Sequence, residues 1–346
     1  MKLSHRVGTA LASVLAAIAV AGTASAQTKV KLATYVPALH DGSKVFEGYL
    51  KEVAGRSKGA IEIEYFPGAQ LGPPPKYYDM AVTGQADVTQ FLHGNTPGLF
   101  PLSEVGTVPL LFGSAEIGTK VMNEPEVMKY VRPEHKGVHV LQLHTHQPAN
   151  VYLAKDPIRK IEDFKGKRLR VPTGPIRELA VALGAVPSGT PPTEWAESMQ
   201  KGTLDGVFTD YGGAGVAFHI GPVTKYATEL YVYTGTFCIC MNQKTYDGLP
   251  AAVRKDLDET VAKKGVDVGK AFDHLDDVGK GIMMKEGTQP IILDAAEKAK
   301  VQKVAIKVID DALDAIEKKK LPAREVYNVM KKLAAKHEPG SRSFWK

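Results

Sequence analysis

Apolar and polar residues follow two different rhythms along this chain, and the order of those rhythms predicts an α/β fold. Val30–Tyr35 starts β-branched and alternating, which predicts a first strand. Across Ser43–Arg56 the apolar residues Val45, Phe46, Tyr49, Leu50 and Val53 recur at helical spacing. Ile61–Phe66 alternates apolar and acidic side chains, a strand signature, and Pro67-Gly68 ends it. Gly72-Pro73-Pro74-Pro75 makes a rigid turn before a helix at Lys76–Thr83, and Ala86–Phe91 reads as a third short strand. Strands that alternate with helices argue for a parallel or mixed sheet.

The same alternation continues through the middle of the chain. Gly137–His146 reads as a longer strand, Ile161–Lys165 as a helical turn, Arg168–Pro172 as a strand and Pro175–Leu183 as a helix. Pro192–Lys201 is a further helix and Gly206–Thr209 a further strand. From Leu249 the pattern changes. Pro250–Lys285 and Asp294–Lys319 are long, charged and amphipathic, with Gln289–Leu293 as one last strand between them. The expectation is two βα-rich blocks followed by a helical C-terminal third that braces both, with Glu338–Lys346 frayed.

The first residues bear on compartment. Lys2 and Arg6 precede a nearly uncharged run, Gly8 to Ala21, and Ala24-Ser25-Ala26 is a small-x-small cleavage site before Gln27. That run is shorter than the roughly 20 residues needed to span a bilayer, so residues 1–26 read as a secretory signal peptide. The expected location is the periplasm, with a mature protein that is not embedded in a membrane. Removing that leader leaves 320 residues, enough for two lobes, and lowers the formal charge from +6 to +4. The excess is spread along the chain, so no nucleic-acid partner is expected. The runs Lys318-Lys319-Lys320 and Lys331-Lys332 read as solvated helix faces.

A secreted α/β protein invites comparison with hydrolases. Gly-x-Ser-x-Gly, His-Glu-x-x-His and the phosphate-loop pattern are all absent from the sequence. Tyr211-Gly212-Gly213-Ala214-Gly215 lacks the third glycine and the acidic residue of a dinucleotide fingerprint, and reads as a loop close to a ligand or another element. Cys238 and Cys240 lie too close in sequence for an unstrained mutual disulfide and lack further zinc ligands, so they read as small packing residues. His144 and His146 share one strand face, where ligand contact, structural pairing and metal binding all stay open. No cofactor and no metal are expected.

One segment carries the functional reading. In Ile161–Pro172, Arg170 ends a short strand and Pro172-Thr173-Gly174 follows at once. Ligands in open α/β sheets sit outside the carboxyl ends of strands, where a guanidinium can clamp a carboxylate through two parallel hydrogen bonds. A surface salt bridge is the competing role for that arginine, and spacing does not separate the two.

Several blocks, in order, resemble a known family. Gly59-Ala60-Ile61-Glu62-Ile63 with Pro67-Gly68-Ala69-Gln70-Leu71-Gly72 is similar to its "GxIxI…PxGQLG" block, and Val82-Thr83-Gly84-Gln85-Ala86-Asp87 to its "V..G..D" step. Asp163–Pro172 resembles its "DLKGLKIRVP" signature, and Leu183-Gly184-Ala185, Glu194 and Met199–Gly206 its "LGA…E…LQxGxVDG" run. Lys225-Tyr226, Met241-Asn242 and Leu249-Pro250 complete the set. The chain is identified as a member of the DctP-like solute-binding subunits of tripartite ATP-independent periplasmic (TRAP) transporters.

That resemblance implies two α/β lobes crossed by the chain more than once, with a ligand cleft between them and long C-terminal helices bracing both. Lobe I is expected over 27–148 plus about 235–275, and lobe II over 149–234 plus about 276–335. It also implies membrane subunits as partners, a small organic carboxylate as ligand and Arg170 as its anchor. Departures from the family matter. Where some relatives carry a second arginine, this chain has His146 and Asn150, and Asp210 with Tyr211 follow the "VDG"-like element. Tyr211 and Phe237 are expected to face an apolar ligand body, and Asp210 a ligand hydroxyl or a neighbour. Tyr35 and His40 after the first strand, and His93 and Asn95 after the third, are further candidate contacts, with packing roles equally open. The expected ligand is an aromatic or apolar 2-oxo or 2-hydroxy monocarboxylate, a sugar acid coming next. The alternative is a periplasmic hydrolase or lyase acting on a small acid.

Overall fold

Two mixed sheets organise the protein. A computed structural model describes residues 27–38 and 40–344, so the leader read at 1–26 lies outside the described residues. The first sheet contains β1 (Thr28–Thr34), β2 (Ile61–Phe66), β3 (Val88–Leu92), β4 (Val138–Thr145) and β10 (Thr236–Asn242), in the order β2-β1-β3-β10-β4. The second contains β5 (Asn150–Leu153), β6 (Arg168–Arg170), β7 (Val186–Ser188), β8 (Gly206–Thr209), β9 (Tyr226–Glu229) and β11 (Gln289–Ile292), in the order β11-β9-β5-β8-β6-β7. The chain therefore passes between sheets three times between β4 and β11. Within the first sheet β1 runs parallel to β2 and β3, while β10 is antiparallel to β3 and β4.

Helices cover these sheets: α1 (Asp41–Arg56), α2 (Tyr77–Thr83), α3 (Ala115–Met122), α4 (Pro125–Val131), α5 (Pro175–Ala182) and α6 (Trp195–Gln200). The C-terminal set is α7 (Gln243–Gly248), α8 (Ala251–Lys264), α9 (Val266–Lys285), α10 (Ala295–Glu317) and α11 (Ala323–His337). Every residue of β3 and of β10 is buried, as strands covered on both faces must be, so their sequences lack polar alternation. The expected single helix over 250–285 is instead α8 and α9, meeting at Gly265. The Gly265 N–H still closes on Val261 O (2.7 Å), while its carbonyl is taken by the Gln142 side-chain amide.

Helix α9 joins the two halves. Near its start, Asp273 accepts from the backbone N–H groups of Ala115 and Glu116 (2.8 and 2.9 Å), the first turn of α3 beside the first sheet. One turn later Asp276 accepts from Tyr211 N–H (2.9 Å) at the entrance to a π-helical turn, Gly212–Ala217, beside the second sheet. Both approaches need glycine. A Cβ on Gly279 would collide with the Tyr211 carbonyl, and one on Gly269 would crowd Ala115 O. Buried apolar residues of α11 (Ala323, Val326, Met330, Leu333) belong to a cluster with Val121, Val127 and Leu143 of the first sheet's layer. Those of α10 divide: Val301, Ala305 and Val308 join a cluster with Leu169 and Phe208 of the second, and Ile309 and Leu313 join the first.

Candidate functional site

The carboxyl ends of strands from both sheets converge on one cavity of about 50 Å³. By the measure on which one water needs roughly 10–15 Å³, this space holds about three to five water-sized groups. Strand β1 leads into Tyr35, β3 into Leu92 and Asn95, β4 into His146, β6 ends at Arg170, and β8 leads into Asp210. Phe237, at the start of antiparallel β10, faces the same space.

The two arginines of β6 share one face of the strand, and their position along it, not side-chain alternation, separates them. Arg168 points outward and forms a two-point pair with Asp205 (2.7 and 3.0 Å). Arg170, two residues on and therefore on the same face of the short strand but at the cleft end, is 6% exposed and lines the cavity. Its Nε donates to Thr190 O (3.3 Å), and its guanidinium carbon lies 4.5 Å from the Trp195 ring centre. Among the described residues no carboxylate pairs with it. Burial pulls its pKa down, opposed by the Tyr233 and Tyr35 side chains. A buried guanidinium without a counter-ion is costly in isolation, and an anionic ligand would relieve that cost.

Two tyrosines flank the guanidinium. The Tyr35 and Tyr233 side chains are 6% and 3% exposed, and their hydroxyls have no hydrogen-bond partner among the described residues. Burial raises both phenol pKa values, with Arg170 opposing and Asp210 reinforcing the shift, so both hydroxyls stay protonated donors. The Nδ2 of Asn95 is likewise buried without a partner at the cavity wall. Phe237, Trp195, Phe218 and Phe272 supply aromatic surface, and the His40 ring sits 4.8 Å from that of Phe272.

The tautomer of His146 is set by its neighbours. Gly235 N–H donates to Nε2 (2.8 Å), so the ring hydrogen is on Nδ1, directed at Gln147 O and 3.5 Å from Asp210 Oδ2. Burial lowers the His146 pKa, and nearby Asp210 only partly offsets this. Asp210 in turn accepts from Gly213 N–H (2.5 Å) through Oδ1. The result is a charged, aromatic-walled cavity. Among the described residues no group of three or more His, Cys, Asp or Glu side chains is placed to hold a metal.

Seven of the ten residues singled out by sequence line this cavity: Arg170, His146, Asp210, Phe237, Tyr35, His40 and Asn95. Three do not, each for a local reason. Asn150 spends its carbonyl oxygen on the N–H groups of Leu230 and Tyr231 (2.8 and 2.9 Å), fixing the strand crossing. The Tyr211 hydroxyl turns away to Glu229 (2.9 Å) and its ring packs on Tyr152. His93 is tied to Thr236 and His135 (both 2.9 Å) inside the aromatic core of the first sheet's layer. The sequence reading missed Trp195, Tyr233, Phe272 and Gln90. Trp195 stood on a predicted helix beside Glu194, whereas Tyr233 sits in a segment with no periodic signal.

Thr173, which follows the cavity-lining Pro172, donates both its hydroxyl (2.7 Å) and its N–H (3.4 Å) to the carbonyl of Gly94, which precedes the cavity-lining Asn95. This joins the loop after β3 to the loop after β6. A larger groove of about 830 Å³ lies on the surface beside β4. Its histidines are already engaged, His139 with Asp258 (3.1 Å) and His337 with Glu124 (2.6 Å), and it holds no buried cation.

Comparison with known proteins agrees with this fold. The chain matches the family model described as bacterial extracellular solute-binding protein, family 7 (DctP), over residues 32–315. It is 31% identical over 182 residues to the uncharacterized protein YiiZ of Salmonella typhimurium, covering 51% of this chain and 55% of YiiZ, so it spans about half of that relative. A solute-binding protein of Verminephrobacter eiseniae is 24% identical over 281 residues, covering 80% of this chain and 83% of its own. A solved TRAP solute-binding protein from Rhodoferax ferrireducens, in complex with co-purified benzoate, superposes with a TM-score of 0.85 at 25% identity. That match covers 91% of this chain and 100% of the other.

Proposed function

This chain belongs to family 7 of the bacterial extracellular solute-binding proteins, and from that premise we propose that it captures a small aromatic or apolar monocarboxylate. The single observation that carries the ligand reading is Arg170: buried, at the cavity wall, and without a carboxylate partner among the described residues. An incoming carboxylate takes the guanidinium's free N–H groups as charge-assisted hydrogen bonds, with the Tyr35 and Tyr233 hydroxyls placed to add two more. The apolar body then lies against Phe237 and Trp195. The benzoate found with the Rhodoferax ferrireducens protein supports an aromatic ligand here.

The role that follows is delivery. The loaded protein docks on the membrane subunits of a TRAP transporter, having reached the periplasm by its N-terminal leader. No helix among the described residues is long and apolar enough to cross a membrane. We assign the first sheet, its helices and α11 to one lobe, and the second sheet with most of α10 to the other, with α9 shared. Proteins of this family serve transport, which sets aside the hydrolase or lyase alternative.

A thermal-shift screen against carboxylic acids tests the reading. An acid at a hundred times its dissociation constant stabilises the fold by about 2.7 kcal/mol. Aromatic monocarboxylates should raise the melting temperature and matched neutral amides should not. A flat response to every acid would overturn the carboxylate assignment.

A further inference from the structure

Arg170 is only half of the polar equipment of this cavity. Asp210 is 6% exposed and borders the same space. One of its oxygens takes Gly213 N–H, and the nearest ring nitrogen to the other is His146 Nδ1 at 3.5 Å, beyond a good hydrogen bond. His146 cannot turn a second donor towards it, because Nε2 is already the acceptor for Gly235 N–H and the Nδ1 hydrogen is directed at Gln147 O. A carboxylate offers about four acceptor positions, so Asp210 keeps unused capacity facing the ligand. An anion seated on Arg170 with nothing more to give would leave that capacity desolvated, which costs more than an unmade bond in water. A carbonyl brought next to it would add lone pair against lone pair.

We infer that the ligand carries, beside its carboxylate, a hydrogen-bond donor that Asp210 receives: a hydroxyl or an ammonium on the adjacent carbon. This rests on the carboxylate reading and narrows it. Among compact aromatic acids, 2-hydroxy and 2-amino acids are accepted ahead of 2-oxo acids. The zwitterionic case also matches the site's two opposite charges, one to each ligand group.

Four acids with one carbon skeleton test this: mandelate (each enantiomer), phenylglycine, phenylglyoxylate and phenylacetate, titrated calorimetrically into the purified protein. Mandelate or phenylglycine should bind roughly ten- to a hundredfold more tightly than the other two, the range of one hydrogen bond to a charged group. Which of the two leads separates hydroxyl from ammonium. In Asp210→Asn the amide gains donors, so the preference should shrink and phenylglyoxylate should gain relative to mandelate. Equal affinities across the wild-type series would overturn the Asp210 role and leave the Arg170 anchor standing. Binding of none of the four would overturn the aromatic-acid reading and this inference with it. The wild-type series decides the matter even if the variant fails to fold.

Discussion

Two arginines two residues apart on β6 illustrate how little residue type alone decides. Arg168 is exposed and paired with Asp205, while Arg170 is buried and unpaired among the described residues. Removing the guanidinium of Arg170 should cost about 2–5 kcal/mol of acid binding, the range for one partner of a buried charge pair. Arg168→Ala should leave the same titration unchanged, since exposed pairs contribute about 0–1 kcal/mol and this one faces away from the cavity. The unliganded protein should respond in the opposite sense. Arg170→Met removes an uncompensated buried charge while keeping its volume, so its melting temperature without ligand should equal or exceed that of the wild type. A clear loss of unliganded stability in that variant would mean that Arg170 is structural. The spacing in the sequence identified Arg170 as a candidate, but only burial separates it from its neighbour.

At the scale of elements, helix α9 makes the sharpest predictions. Gly279→Ala forces a methyl into the Tyr211 carbonyl and should destabilise by roughly 1–3 kcal/mol, read by denaturant melts. Gly281, two residues on, faces open space, so Gly281→Ala should stabilise by about 0.5–1 kcal/mol. Buried ionisable groups on the packed elements add a pH dependence of two opposite signs. Burial holds His135 down to about 4, so its contribution is whole above about pH 6.5 and is lost as pH falls from there towards 4. Burial raises Asp273 to about 7 despite its two N–H bonds. Its contribution is present below the ordinary carboxylate value near 3.8 and is lost as pH rises through 7. The two oppose each other between pH 4 and 7, so the test is variant against wild type. The deficit of His135→Gln should shrink towards pH 5, and that of Asp273→Asn should shrink towards pH 8. Most elements were legible from periodicity, among them Ile61–Phe66 and Gly206–Thr209, whose bounds match. Helices α3, α4, α7 and α11 and strands β5, β7 and β9 were missed. Strands of three or four residues are too short to show a period, and an all-buried one such as β5 has no alternation to read.

For the whole molecule, the Thr173–Gly94 contact joins the loop after β3 to the loop after β6, each of which carries a cavity-lining residue, Asn95 and Pro172. Thr173→Val keeps the shape and removes the hydroxyl donor, leaving only the longer N–H bond. It should weaken acid binding by roughly three- to tenfold, the worth of one neutral hydrogen bond, mostly through faster release in stopped-flow measurements. Unchanged release would mean that the loops do not gate the site. The order of strand and helix patterns was enough to establish an α/β chain, and the motif order was enough to indicate its family. Both are local or collinear properties of the sequence. The tertiary structure alone decided that Tyr233 and Trp195 meet Arg170 while Asn150, Tyr211 and His93 turn elsewhere. The physical reason is that a cavity between two sheets is built from residues distant in sequence, and each buried polar group goes to whichever partner folding brings within reach.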